Sequence, residues 1–241
     1  MIPKIIHYCW FGERKKPTFV KKCINSWKKH CPDYKFVEWG NNNFDINCNP
    51  YVSEAYNRRK YAFVSDYVRL YALYNYGGIY MDTDVEVFKS FDNILDNKCV
   101  FGFEECNYIA TSFMAAEKGN KFIEKFFELY KSLNFKNADG SLNMKTNVER
   151  LTELLLQEGL QRNNSLQTVS DIKIYPKEYF SPYDYINCVK HITKNSYCMH
   201  HFYVSWMPIT ERFKKSIKKI IAMTVGDNFT KFLRGKFSDH E

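Results

Sequence analysis

The stretch that most restricts how this chain can fold runs over residues 53–88. Phe63, Tyr67, Leu70 and Tyr74 recur three or four apart, which puts them on one stripe of a helix. Gly77 and Gly78 come next, where a helix C-terminus takes the left-handed backbone that a side chain opposes. Residues 79–88 then alternate in the two-residue period of a strand. The spacing predicts one helix over 53–76 that turns directly into a strand over 79–88. A helix delivering a strand so abruptly belongs to an α/β sheet.

The beginning of the chain agrees. Residues 2–10 read as a strand ended by Phe11-Gly12, and Pro17 suits the first turn of a helix. Val20, Ile24, Trp27 and Cys31 form that helix's stripe, Pro32 stops it, and residues 34–39 alternate as a second strand. Residues 41–50, rich in Asn and ending at Pro50, read as a loop. Further strands are expected at 100–103, 108–115, 172–175 and 197–203, and helices at 120–132 and 147–157. At 241 residues, 45% hydrophobic and 26% charged, the chain suits one soluble domain with a small appendage. The boundary is drawn at 207, leaving 208–241 as a C-terminal amphipathic helical tail.

Eight scattered cysteines with no C-x-x-C pair argue against a disulfide scaffold or a zinc ribbon and are expected to be buried free thiols. Met1 to Tyr8 runs straight into an apolar strand without a cleavage site, and no apolar run reaches the roughly 18 residues a membrane helix needs. A cytoplasmic protein is expected. Of the net charge of +8, residues 211–236 carry most, with eight Lys/Arg against Glu211 and Asp227. The remainder sums close to neutral, which argues against a nucleic-acid-binding surface.

The chemistry centres on Tyr80-Met81-Asp82-Thr83-Asp84. Strand alternation puts Tyr80, Asp82 and Asp84 on one face, with Ile79, Met81, Val85 and Val87 on the other. Two carboxylates near a strand end make a hard-oxygen site suited to Mg²⁺ or Mn²⁺. A lone D-x-D is also a common solvated turn, so the preceding helix matters. Asp66 and Arg69, three apart, share one helix face. They read either as a surface ion pair or as a substrate-holding acid and guanidinium.

Ser65-Asp66-Tyr67-Val68-Arg69, followed by Gly77-Gly78-Ile79-Tyr80-Met81-Asp82-Thr83-Asp84, closely resembles the DXD region of glycosyltransferase family 32, which includes yeast initiating mannosyltransferases and bacterial capsular-polysaccharide enzymes. The same spacing occurs in the catalytic domain of the large clostridial glucosylating toxins. Ile2 to His7 with Trp10-Phe11-Gly12, Tyr175 to Phe180, and His200-His201 with Ser205-Trp206 extend the similarity over residues 1–206. The resemblance implies an α/β GT-A fold, with a Rossmann-like, mostly parallel sheet flanked by helices. It further implies a retaining transfer from a nucleotide sugar to a saccharide acceptor, free or lipid-linked, with Mn²⁺ or Mg²⁺ bound.

Carried across by motif, Trp10 matches the aromatic residue that stacks on the donor base, although its local pattern equally suits a core Trp. Asp66 and Arg69 match contacts to the donor sugar and diphosphate. Tyr80 falls beside the nucleotide, Asp82 near ribose and metal, and Asp84 on the metal. Alternation puts His200 and His201 on opposite faces. The family pattern favours His200 as metal ligand, with His201 as second choice. Ser205 and Trp206 match a loop that closes over the donor and excludes water. The Thr-Gly-Pro turn of many relatives is absent at Thr146-Asn147, and Ile109-Ala110-Thr111-Ser112 lacks their Asn.

Phe213, Ile217, Ile220, Ile221 and Val225 follow helical spacing with lysines flanking them, so 211–236 reads as an anionic-membrane anchor or as a helix packed on the domain. The resemblance implies a hexosyltransferase, UDP-hexose favoured over GDP-mannose, acting in capsular or surface polysaccharide synthesis and peripheral to the inner face of the membrane. The competing readings are a non-catalytic nucleotide-sugar or carbohydrate-binding module and a metal-dependent phosphodiesterase, which lacks its dense Asp/His cluster here.

Overall fold

The computed structural model describes residues 1–185 and 187–203, apart from the side chain of Cys106. The expected tail over 208–241, with its membrane-facing segment 211–236, lies outside the described residues, as do Ser205 and Trp206. The strands are β1 (Ile5–Cys9), β2 (Lys35–Trp39), β3 (Gly78–Met81), β4 (Val85–Val87), β5 (Cys99–Gly102), β6 (Phe113–Ala116), β7 (Gln167–Val169), β8 (Ile172–Tyr175), β9 (Tyr183–Asp184), β10 (Val189–Lys190) and β11 (Cys198–His200). The helices are α1 (Thr18–His30), α2 (Pro50–Asn57), α3 (Tyr61–Tyr76), α4 (Lys121–Lys131), α5 (Asn147–Gln157) and α6 (Lys177–Phe180).

Seven strands form one sheet in the order β2-β1-β3-β6-β5-β8-β7. β1 runs parallel to β2 and β3, and β5 parallel to β8, whereas β6 is antiparallel to both β3 and β5, and β7 to β8. The C-terminal ends of β2, β1, β3, β5 and β8 therefore meet at one edge. This is the mixed, mostly parallel GT-A sheet, flanked by helices on both faces. Alternation sorts the core: Tyr80, Cys99 and Phe101 pack with α2, α3, α4 and α5, while Ile79, Met81 and Val100 pack with α1 and β4.

Three expected elements are redrawn. The helix over 53–76 is two helices, and Pro50 opens the first instead of closing a loop. Asn49 caps it, its side chain accepting from Tyr51 N at 2.8 Å, and proline suits that first turn. The helix stops at Arg59, which takes a φ of 57°. Lys60 N donates to Ala55 O at 2.9 Å and Arg59 N to Tyr56 O at 2.8 Å, the paired bonds of a left-handed C-terminal cap without glycine. Periodicity carries no signal for such a cap.

The strand over 79–88 breaks at Asp82–Asp84 into β3 and β4. Val85 N bonds Asp82 O at 3.0 Å across a turn, and β4 leaves the main sheet to pair antiparallel with β11. The strand over 108–115 begins only at Phe113, because residues 103–112 form a loop around a 3₁₀ turn at Glu105–Asn107. The hairpin of β9 and β10 and the short β7 carry too few residues to show a period. The described thiols are free, but Cys48 is exposed and Cys188 only half-buried.

Gly78 is required by its surroundings. Its φ is 103°, and a Cβ there would lie 2.5 Å from the Ile5 carbonyl oxygen, so β3 could not approach β1 with any side chain present. Trp27, fully buried, donates from Nε1 to Val85 O at 2.6 Å and ties α1 to β4.

Candidate active site

α3 runs beneath the sheet edge and ends in the two glycines that start β3, so Asp66 and Arg69 are delivered beside the strand's exit. Both are buried, at 8% and 4% exposure, which removes the reading of a surface pair. Arg69 Nη2 lies 2.9 Å from Asp66 Oδ1 and 3.4 Å from Asp82 Oδ1. Its Nη1 donates to Thr111 O at 2.6 Å, and its guanidinium sits 4.6 Å from the centre of the Tyr80 ring. The Tyr80 hydroxyl donates to Asp82 Oδ1 at 3.0 Å. Arg69 therefore cross-links α3, β3 and the strand entering β6.

The charges divide unevenly. Burial alone would disfavour a charged Arg69, yet Tyr80, Asp82 and Asp66 hold its pKa above its ordinary value. Asp66 is pushed up to about 6, by burial first, against the pull of Arg69 and with Asp82 adding repulsion; Arg150 pulls weakly in the same direction as Arg69. The Cys9 thiol, fully enclosed beside Tyr80, Ser65 and Arg69, is pushed up to about 12 by burial and is no nucleophile.

Asp84 arrives by a different route from the one alternation suggested. The turn at 82–84 interrupts the strand, so the two carboxylates converge through the turn and the β4–β11 pairing. β11 sets His200 opposite Val85. His200 Nε2 lies 3.3 Å from Asp84 Oδ2, which also accepts from Tyr203 N at 2.6 Å. One ligand atom each from Asp82, Asp84 and His200 lies within 4.8 Å of the others. Two hard carboxylates and one imidazole fit a divalent cation. Among the described residues the buried His200 Nδ1 atom has no hydrogen-bond partner. Burial works against its charge, but Asp84, Asp82 and Glu104 raise its pKa to about 9. The pocket is short of positive charge. His201 stands apart, its Nε2 2.8 Å from Glu86 Oε2 and its ring edge-on to Phe19.

Trp10 follows β1 on the same sheet edge, half-buried, with Nε1 donating to Arg14 O at 2.7 Å and Lys16 lying 5.6 Å from its ring centre. It is not part of the Asp82–Asp84–His200 cluster.

Sequence reasoning missed Glu104. It follows the end of β5, and its carboxyl is pushed up to about 7 by burial, with His200 opposing and Asp82 adding to the shift. The strand order, once known, puts that end beside Asp82; no local motif marks it. Thr111 and Ser112, flagged for lacking the relatives' Asn, brace the site through their carbonyls, Ser112 O accepting from Asp82 N at 2.9 Å. Asn147 stands beside Asp66 and accepts from the Tyr130 hydroxyl at 3.1 Å.

Residues 17–101 match the family described as the glycosyltransferase sugar-binding region containing the DXD motif. Over 218 residues, covering 86% of this chain and 85% of the relative, the chain is 27% identical to an uncharacterized glycosyltransferase of Acanthamoeba polyphaga mimivirus. It is 32% identical over 129 residues to inositol phosphoceramide mannosyltransferase 3 of Schizosaccharomyces pombe, covering 51% of this chain but only 35% of that relative. In three dimensions it resembles the PaToxG glycosyltransferase, with a TM-score of 0.52, 23% identity and coverage of 66% of this chain and 69% of that one. A glycosyltransferase involved in glycosylating the major capsid of PBCV-1 aligns over 90% of this chain and 100% of its own, with a TM-score of 0.50 and 10% identity. These structures share the fold.

Proposed function

We propose that this chain, a glycosyltransferase of the GT-A type by its DXD region and its fold, is a metal-dependent retaining hexosyltransferase that uses a nucleotide sugar. The observation that carries the reading is the convergence of Asp82, Asp84 and His200 at the sheet edge, backed by the buried Arg69–Asp66 pair. Asp82, Asp84 and His200 would hold Mn²⁺ or Mg²⁺, which when bound neutralises charge on the departing diphosphate.

The chain's own residues do the rest. Arg69, fixed by contacts to Ser65, Asp66, Tyr80, Asp82 and Thr111, offers positive charge near the diphosphate without reorganising. Asp66 accepts from donor-sugar hydroxyls, and its raised pKa reflects the cost of keeping that acceptor buried. Tyr80 orients Asp82 through its hydroxyl, and Trp10 offers a face to the base at the rim. Asp66, Asp82 and Asp84 are each engaged in ion pairs or hydrogen bonds, and attack from the leaving-group side, which the resemblance implies, needs no carboxylate nucleophile. Ser205 and Trp206 close the donor site in this reading. A saccharide acceptor in surface-polysaccharide synthesis, on the inner face of the membrane, follows from the resemblance alone. Among the described residues no helix is long and apolar enough to cross a membrane.

UDP-hexose is the favoured donor. GDP-mannose is the second reading, supported by the similarity to inositol phosphoceramide mannosyltransferases. The test is a panel of UDP- and GDP-sugars with Mn²⁺, reading released nucleotide for the wild type and Asp84→Ala. Metal-dependent release from one donor, lost in the variant, is expected. Failure to bind or cleave any nucleotide sugar would overturn the proposal in favour of a non-catalytic module.

A further inference from the structure

The chain's positive charge is segregated in a way its net value conceals. Residues 1–35 hold nine Lys/Arg against Glu13 and Asp33, while residues 36–203 hold eighteen against twenty-one acidic residues. The structure collects much of the first group on α1. Val20, Cys23, Ile24 and Trp27 face the core, and the outer side presents Lys21, Lys22, Asn25, Lys28 and Lys29 to solvent. Lys15 before the helix and Lys35 after it are also exposed.

Among the described residues none of these six lysines forms an ion pair. Two nearby acids are already engaged, Asp33 with Lys4, and Glu38 with Lys16 and the Tyr8 hydroxyl, which leaves Glu13 against six lysines. Residues 204–241 carry eight Lys/Arg against four acidic residues, so they bring no net charge that would neutralise this face.

We propose that the outer face of α1 docks on an anionic lipid bilayer. The face is one side of a 13-residue helix, and none of the exposed large apolar side chains lies on it. A single-stranded nucleic acid calls instead for a basic groove interleaved with aromatic platforms. An extended array of unpaired ammonium groups matches a surface of anionic headgroups, where each lysine strengthens binding by about fivefold. Lys16, lying over the Trp10 ring, links this face to the sheet edge that carries Asp82 and Asp84. Docking would therefore set a bilayer beside the mouth of the site. The inference stands on charge and exposure and does not depend on the proposed reaction.

The experiment sediments the full chain with vesicles of phosphatidylcholine alone or with about 30% phosphatidylglycerol, at about 50 and 500 mM NaCl. A second protein carries Lys21→Glu, Lys22→Glu, Lys28→Glu and Lys29→Glu and keeps the basic residues after 211. The wild type should bind only the anionic vesicles and come off at high salt. The quadruple variant should partition at least several hundredfold more weakly, with an unfolding temperature within a few degrees of wild type. Wild-type protein that ignores the anionic vesicles overturns the proposal. So does a variant that binds as well as wild type, which would move the attachment to the tail. Tighter binding to a single-stranded oligonucleotide than to vesicles of equal charge would replace the lipid with a polyanionic chain.

Discussion

Asp66→Asn should make the protein more stable at neutral pH. Asp66 is 8% exposed, and burial with repulsion from Asp82 lifts its pKa from an ordinary 3.8 to about 6 in spite of Arg69. The folded state therefore binds more protons than the unfolded state between pH 3.8 and 6. The stability contributed by protonated Asp66 is full below that window and is lost as pH rises through it. At about 1.4 kcal/mol per pKa unit, holding the charge above pH 7 costs about 3 kcal/mol. Asparagine has the shape of the protonated acid and does not titrate.

Urea unfolding at half-unit steps from pH 4 to pH 8 should show the variant equal to wild type at pH 4. It should be about 2–3 kcal/mol more stable at pH 7 and above. His7, buried and held down to about 4 chiefly by desolvation, weakens both proteins alike on the acid side, so the difference isolates Asp66. A variant less stable than wild type at pH 8, or a difference that does not change with pH, would refute the reasoning. Donor cleavage should fall in the same variant, the mark of a site residue retained against stability.

Further outcomes follow from the same geometry. Asp84→Ala or His200→Ala should weaken Mn²⁺ binding at least tenfold by electron paramagnetic resonance, while His201→Ala, which leaves the cluster intact, should change it less than about twofold. Gly78→Ala forces a Cβ to 2.5 Å from Ile5 O at a φ of 103° and should cost roughly 3–5 kcal/mol, lowering the calorimetric unfolding temperature by about 10 °C. Tyr51→Phe removes a buried hydroxyl that, among the described residues, makes no well-formed hydrogen bond although Tyr130 lies beside it, and should leave urea stability unchanged or raise it by up to about 1 kcal/mol; a clear loss would mean the hydroxyl bonds Tyr130. Trp10→Ala should weaken nucleoside diphosphate binding by about 10- to 100-fold in calorimetric titration if the indole stacks on the base.

The sequence by itself determined what depends on local period and backbone permission. The stripe of α3, the glycines at 77 and 78 and the alternation of β3 fix a helix delivering a strand, and residues 2–39 fix a parallel neighbour. The D-x-D pair, Asp66 and Arg69 were legible because their spacing lies within single elements and matches a family pattern. Tertiary structure decided the rest. The break at Arg59 depends on a left-handed cap that many residue types can form, and the turn at Asp82–Asp84 depends on where β6 begins and β11 ends. His200 meets Asp84 because β11 pairs with β4, 115 residues apart in Val85↔His200. Glu104 joins them because β5 runs parallel to β3 with β6 between, an order that no local pattern encodes. The same holds for charge. Composition gives its sum, but the packing of Val20, Cys23, Ile24 and Trp27 against the sheet decides that the lysines of α1 stand together on the outside.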